Sequence, residues 1–286
     1  MRIAPYWAKG SYTSRDGRKD ATFEAWGWSF ESHAAAEADG VVRAKRVAER
    51  VAEGTRPDAY DYHEHPLREE IVDTLRRDDE TVAVITRNRY GALVLNAASV
   101  FFADVDCPEH GPDGVLDAIV SAFSKARRQA RQQAAASVTE QKIRDWSRHH
   151  PDRSLRLYRT FAGFRIMMTD RLYDPISQEV TALLRELDSD PLYRKLTEKQ
   201  ACFRARLTPK PWRCGWRSPP NRYPWNDANA EKVYRKWERS YHEKSQPYQV
   251  CELVEAIGPP AGDEPIGAVI DLHDRYACGG SDGKLA

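Results

Sequence analysis

Residues 81–106, TVAVITRNRYGALVLNAASVFFADVD, contain the pattern that decides the fold. Two apolar runs rich in valine lie on either side of the tripeptide RYG. Short runs of β-branched and aromatic residues around a glycine-containing turn are typical of strands joined in a hairpin. We therefore expect the central sheet here, with its last strand ending at Asp104 and Asp106.

The flanking sequence mixes helices and hairpins without strict strand-helix alternation, which favours an α+β fold with a mixed or antiparallel central sheet flanked by helices. A serine, Ser29 or Ser32, precedes an alanine-rich helix. Next along the chain we predict a short helix at PLREEIVDTLRRD, with Pro66 in its first turn, and a long helix in 113–151, with Val115, Ile119 and Phe123 on one stripe. A hairpin that turns at FAGF and helices after Asp174 follow. The last predicted elements are strands at FRARLTP, YQVCELVEAIG and PIGAVIDLHD.

Length and composition indicate a chain that can bury a large core, with 286 residues of which 41% are apolar. We expect an N-terminal helical or αβ module over 1–80, a catalytic-type core over 81–275 and a flexible tail over 276–286. No run is long enough for a membrane span, and the N-terminus lacks a signal-peptide pattern, so a cytoplasmic protein without a membrane partner is predicted. Five scattered cysteines favour reduced thiols.

The net charge of +1 hides a strongly basic segment. Between Arg194 and Arg222 there are nine Lys or Arg residues and one acid, Glu198. Tryptophans are interleaved with these cations, a combination suited to phosphates and bases together. Four members of the segment are predicted to line a phosphate channel: Arg204, Arg206, Lys210 and Arg213. The alternative is a solvated basic surface.

The pair of acids in VFFADVD is the strongest chemical signal. Residues i and i+2 of a strand point to the same face, so Asp104 and Asp106 share a face while Val105 packs behind them. Two neighbouring carboxylates repel each other, and a divalent cation relieves that repulsion. The pattern predicts a Mg²⁺ or Mn²⁺ site for phosphate chemistry. An acidic strand end without metal is the alternative.

Two further segments complete the predicted site. GAVIDLHD offers Asp271 as a third carboxylate, or Asp274 beside it, if this segment is a strand next to the first two acids. The turn of YRTFAGFRIMM brings Thr160 and Arg165 onto adjoining strands, where backbone amides and the guanidinium are suited to binding a phosphate.

Along the chain, VFFADVD is followed by TFAGFRIMM and then by AVIDLHD. These three segments, in this order, resemble the motifs of the archaeo-eukaryotic primase superfamily, which includes primase-polymerases. The resemblance covers roughly residues 93–274. It implies an RRM-like or palm-like catalytic core, nucleotidyl transfer from nucleoside triphosphates to a DNA or RNA strand, and metal ligation by Asp104, Asp106 and Asp271. The family's hairpin histidine falls on Arg165, which is a departure from its pattern.

Other readings stay open. A nucleic-acid-binding protein without catalysis and a metal-dependent phosphoesterase are both compatible with an arginine at the hairpin position. His63 and His65 are a possible metal pair. Cys107 and His110 are candidates for a zinc site with one of three later cysteines, Cys202, Cys214 or Cys251. Arg87, Asn88 and Arg89 are a candidate nucleic-acid contact or a solvated turn.

Overall fold

The computed structural model describes residues 1–15, 20–54, 66–108, 125–258, 262–279 and 283–286. Within these ranges there are twelve strands and six α-helices, which confirms the α+β class. The strands are β1 (Tyr6–Arg15), β2 (Asp20–Ser29), β3 (Glu70–Arg77), β4 (Glu80–Arg87), β5 (Leu93–Ala97), β6 (Phe102–Asp106), β7 (Leu155–Thr160), β8 (Gly163–Met168), β9 (Phe203–Arg206), β10 (Tyr248–Gln249), β11 (Cys251–Ile257) and β12 (Lys284–Leu285). The helices are α1 (His33–Ala52), α2 (Lys125–His149), α3 (Gln178–Glu186), α4 (Pro191–Gln200), α5 (Ala228–Ser245) and α6 (Glu264–Ala277).

Two antiparallel four-stranded sheets replace the single predicted central sheet. Their strand orders are β11-β7-β8-β6 and β3-β4-β5-β9. The run after RYG is divided between them, because β5 belongs to one sheet and β6 to the other. Residues of both sheets and of α3, α4 and α6 share one apolar core, in which the rings of Phe101 and Phe203 lie 5.2 Å apart.

The predicted helix at PLREEIVDTLRRD is wrong, because β3 lies there and pairs with β4. Asp78 and Asp79 both have positive φ and form a two-residue connection, as in a type I′ hairpin. Turn geometry and cross-strand pairing therefore decide this segment. The hairpin also crosses position 80, where the boundary between an N-terminal module and the core was expected.

The second incorrect prediction is the strand at PIGAVIDLHD, which lies in α6. Pro265 occupies its first turn, and Ile266, Val269 and Leu272 are buried at helical spacing. The predicted helix start after Asp174 shifts to Ser177, which caps α3. Within the predicted tail over 276–286, β12 pairs in parallel with β10. Val115, Ile119 and Phe123 lie outside the described residues.

The N-terminal unit is a β1-β2 hairpin packed on α1, which is capped by Ser32, one of the two serines predicted for this position. Gly10 and Gly27 in the hairpin and Gly40 in α1 allow the hairpin backbone to lie close to the helix backbone. A Cβ on Gly40 would lie 2.5 Å from the backbone nitrogen of Gly10, and a Cβ on Gly27 would lie 2.2 Å from the carbonyl oxygen of Ala36.

Replacing Gly40 by alanine is expected to lower the free energy of unfolding by about 1–3 kcal/mol, because backbone must move to admit the methyl group. Gly267 in α6 is the matched control, since a Cβ there meets nothing within 4 Å. Gly267→Ala is expected to be neutral or stabilising by up to about 1 kcal/mol. Urea unfolding of both variants measures the difference. Equal effects would contradict close hairpin-helix packing.

Candidate functional site

The two acids of β6 share a face, as predicted. Ala103 and Val105 are buried, whereas Asp104 and Asp106 reach towards solvent at the strand end. Among the described strands, β6 pairs only with β8, so the carboxylates lie at a border of the sheet that these strands form.

Asp190 is a third acid near this pair, and the sequence did not indicate it. It caps α4 by accepting a hydrogen bond from the backbone nitrogen of Tyr193 at 2.7 Å. Its own backbone nitrogen donates to the carbonyl oxygen of Asp104 at 3.1 Å, and Ser189 Oγ donates to the same oxygen at 3.0 Å. These bonds hold the start of α4 against β6.

The electrostatics of the acids are those of mutually repelling charges. The pKa of Asp106 is raised by burial and by the carboxylates of Asp190 and Asp104. Lys210 and Arg213 act in the opposite direction and lower it. A bound cation would relieve the repulsion that remains.

Asp271 does not complete this cluster. It is exposed on α6, while the neighbouring Asp274 is occupied by Arg156 at 2.8 Å, Tyr158 at 2.8 Å and His273 at 2.8 Å. In the described part of the chain, no three carboxylates lie close enough to ligate one metal ion together. The expected convergence of Asp271 with the acids of β6 is therefore wrong.

Arg165 does not project towards a ligand. Its side chain is only 1% exposed, and Nε donates to Oδ1 of Asp104 at 3.0 Å. Nη1 donates to the carbonyl oxygen of Arg206 at 2.9 Å and to Nε2 of His273 at 3.2 Å. The predicted phosphate donor is instead a buried support that orients Asp104.

The β7-β8 turn is present as predicted, but its polar groups are used internally. Thr160 Oγ1 accepts a hydrogen bond from the backbone nitrogen of Gly163 at 3.1 Å. A Cβ on Gly163 would lie 2.0 Å from the carbonyl oxygen of Val105, so this glycine is required by the contact with β6. Thr160 therefore closes the hairpin, and its predicted role as a phosphate ligand has no geometric support.

Arg204 and Arg206 share the predicted face of β9 but differ in their partners. Nη2 of Arg204 donates to both carboxylate oxygens of Glu69, at 2.8 and 2.9 Å, and Nη1 donates to Asn96 Oδ1 at 2.6 Å. Both members of the ion pair are buried, with side-chain exposures of 11% and 8%. Arg204 thus holds β9 to the segment before β3 instead of lining a phosphate channel.

Arg206 has no such partner among the described residues, and its Nε is buried without a hydrogen bond. Burial and the nearby charge of Arg165 lower the pKa of Arg206 to about 10. Burial, Arg206 and Arg213 lower the pKa of Lys210 as well. A buried cation is normally paired, so Arg206, with the half-buried Lys210 and Arg213 near it, is suited to an anionic ligand.

Aromatic rings flank the cations. The guanidinium of Arg213 lies 4.1 Å from the ring centre of Phe161, and Lys210 lies 5.6 Å from that of Trp212. Trp212 is 48% exposed and meets Tyr90 edge to face at 5.0 Å. This pattern agrees with the predicted interleaving of cations and rings.

Tyr90 leads into a pocket of about 520 Å³ beside the β3-β4-β5-β9 sheet. Leu192 and Leu196 of α4, together with Tyr223, are among its walls. Leu192 follows Asp190 by two residues in the chain.

The candidate turn at Arg87, Asn88 and Arg89 is mainly structural. Arg87 pairs with Glu70 and Glu238, and Asn88 Oδ1 accepts from two backbone nitrogens of its own turn.

The predicted zinc site around Cys107 is described only in part, because it includes His110. Cys107 contacts Arg159, and burial raises the pKa of both Cys202 and Cys214 to about 11. His110, His63 and His65 lie outside the described residues. Cys251 belongs to a different cluster, with His273 and Cys278.

Comparison of the chain with family models, curated protein sequences and solved structures gives no match. None of the helices in the described residues combines the length and apolar character that a membrane crossing requires.

Proposed function

We propose that the chain is a metal-dependent nucleotidyltransferase that resembles a primase-polymerase and acts on nucleoside triphosphates and a DNA or RNA strand. One observation carries the proposal. Asp104, Asp106 and Asp190 lie at the end of β6, close enough to Lys210 and Arg213 for the opposite charges to affect the pKa of Asp106. Acids for a metal and cations for phosphates are thus adjacent.

The residues present fit a Mg²⁺ or Mn²⁺ ion. Asp104 and Asp106 would hold it, and Asp190 adds a further negative charge near enough to raise the pKa of Asp106. When bound, such an ion neutralises phosphate charge and polarises the phosphorus centre. Oxygen donors of this kind are the ligands that both ions prefer.

The chain's own residues have separate tasks in this proposal. Arg206, Lys210 and Arg213 bind the phosphate oxygens. Arg165 fixes the orientation of Asp104 from behind. The pocket beside the β3-β4-β5-β9 sheet, with leucine and tyrosine walls, accommodates a base. We further propose that the β11-β7-β8-β6 sheet is the palm-like sheet implied by the primase resemblance.

A non-catalytic nucleic-acid-binding protein is the second candidate. The observation that favours it is the ion pair between Asp104 and the buried Arg165, which already neutralises one predicted metal ligand. In that case the cations bind the backbone of a nucleic acid, and the carboxylates have no catalytic task.

An incorporation assay separates the candidates. Labelled nucleoside triphosphates, a primed or bare DNA or RNA template and Mg²⁺ or Mn²⁺ are supplied, and strand synthesis or extension is the expected result. Cleavage of a nucleic acid or nucleotide without added triphosphate would indicate a phosphoesterase. Salt-sensitive binding without any reaction would indicate the binding protein.

Lys210→Met is expected to raise the KM for the triphosphate by about 10- to 100-fold, because a charge-assisted hydrogen bond to phosphate is lost. Lys236→Met removes an equally long cation from an exposed position on α5 and is the matched control. Steady-state kinetics of both variants test this role. An unchanged KM in Lys210→Met would remove Lys210 from the site.

A further inference from the structure

We propose that Cys251, His273 and Cys278 form a binding site for a thiophilic metal ion such as Zn²⁺. Cys251 Sγ lies 3.7 Å from Cys278 Sγ and 3.8 Å from His273 Nε2, and all three atoms lie within 4.8 Å of one another. Bonds of about 2.3 Å to sulfur and 2.0 Å to nitrogen in a tetrahedral site separate the ligand atoms by about 3.5–3.8 Å. The free side chains are already near that spacing.

The backbone of the cluster is fixed by the fold. Cys251 is the first residue of β11, His273 lies on the buried face of α6, and Cys278 caps the end of that helix. The backbone nitrogen of Val250 donates to the carbonyl oxygen of Ala277 at 2.9 Å, which joins the two elements beside the sulfur atoms. Preorganised ligands reduce the ordering that metal binding would otherwise require.

The surroundings of His273 resemble those of a metal-bound imidazole. Its Nδ1 donates to Asp274 Oδ1 at 2.8 Å, and that carboxylate accepts from Tyr158 and Arg156. A carboxylate on one ring nitrogen selects the tautomer that leaves the other nitrogen free to ligate. Nε2 accepts from Nη1 of Arg165 at 3.2 Å, a bond that a metal ion on Nε2 would replace.

Charge balance favours binding as well. Both cysteines would bind as thiolates, so the dication with its two thiolates is neutral. A neutral centre avoids burying an additional charge beside Arg165, which keeps its bonds to Asp104 and to the carbonyl oxygen of Arg206. Cys278 is half-buried, so water can reach the fourth position.

Metal titration of the reduced full-length protein tests the proposal. Zn²⁺ added in competition with a chromophoric chelator is expected to bind at one equivalent, and Co²⁺ is expected to give thiolate-to-cobalt charge-transfer absorption. Cys278→Ser should abolish the absorption. Asp274→Asn, which keeps all three ligands, should weaken affinity by about 10- to 100-fold. Cys202→Ser, at a buried cysteine outside the cluster, is the control and should bind as the wild type does.

Absence of Zn²⁺ binding to the reduced protein, or unchanged binding in Cys278→Ser, would overturn the proposal. A Cys251–Cys278 disulfide in the isolated protein, combined with no metal uptake after reduction, would overturn it in favour of redox pairing. None of these readouts involves nucleotides, so their failure leaves the proposed nucleotidyl transfer untouched.

Discussion

Asp106→Asn is expected to reduce nucleotidyl transfer by about 1,000-fold or more and, at the same time, to make the protein more stable at neutral pH. The loss of activity follows because the carboxylate would hold a metal ion that supplies several kcal/mol of charge stabilisation. The gain in stability follows because the carboxylate is held near Asp190 and Asp104.

The sign of the stability effect comes from the raised pKa of Asp106 in the folded state. Between the unfolded and folded pKa values the folded protein binds more protons, so the free energy of unfolding falls as the pH rises through that interval. In the Asp106→Asn variant this decrease in the free energy of unfolding does not occur, because the side chain does not titrate. The melting temperature of this variant in EDTA should therefore exceed that of the wild type at pH 7, and the two should converge at low pH.

Asp271→Asn is the matched control for this experiment. It removes an exposed carboxylate from α6, away from the end of β6, and should leave both activity and melting temperature close to the wild-type values. An active Asp106→Asn variant would contradict the proposed catalytic role. Loss of activity in Asp271→Asn would restore the original motif assignment.

Glu69→Ala is expected to lower the free energy of unfolding by about 3–5 kcal/mol, since it leaves the Arg204 charge buried without its partner. The residual bond to Asn96 does not replace a bidentate carboxylate. Urea unfolding provides the measurement. This loss would show that Arg204 is a structural residue, as its contacts indicate.

Glu24→Ala supplies the comparison for this variant, because Glu24 pairs with Lys9 at the surface with side-chain exposures of 57% and 36%. That pair should contribute less than about 1 kcal/mol. Similar losses in Glu69→Ala and Glu24→Ala would mean that the Arg204 ion pair does not stabilise the fold, and that Arg204 is available to a ligand after all.

Sequence patterns correctly predicted those elements for which the local periodicity and the strand pairing in the fold indicate the same secondary structure. Alternation located β6 and placed Asp104 and Asp106 on one face, and the glycine turn located the β7-β8 hairpin. The strand at β3 was missed because Ile71 and Leu75 also fit a helical stripe, and only pairing with β4 decides between the two. The helix α6 was missed because its apolar run is short enough to be read as a strand.

The composition of the site was less predictable, since it depends on contacts between distant segments. Asp190 is 84 residues from Asp106 and reaches β6 only through the start of α4, where an aspartate before a proline is also an ordinary helix cap. Arg165, Arg204 and Arg206 look alike in the sequence. The folded chain distinguishes them. Arg165 and Arg204 each pair with a carboxylate, whereas the buried Nε of Arg206 has no hydrogen-bond partner among the described residues.

Mn²⁺ binding followed by electron paramagnetic resonance, with and without a nucleoside triphosphate, is the most direct measurement of the central claim. The wild type should bind Mn²⁺ more tightly when triphosphate is present, because ion and phosphate occupy adjacent parts of one site. Asp106→Asn should lose most of this binding, and Lys210→Met should lose mainly the enhancement by triphosphate. Equal Mn²⁺ affinity in all three proteins would contradict the account.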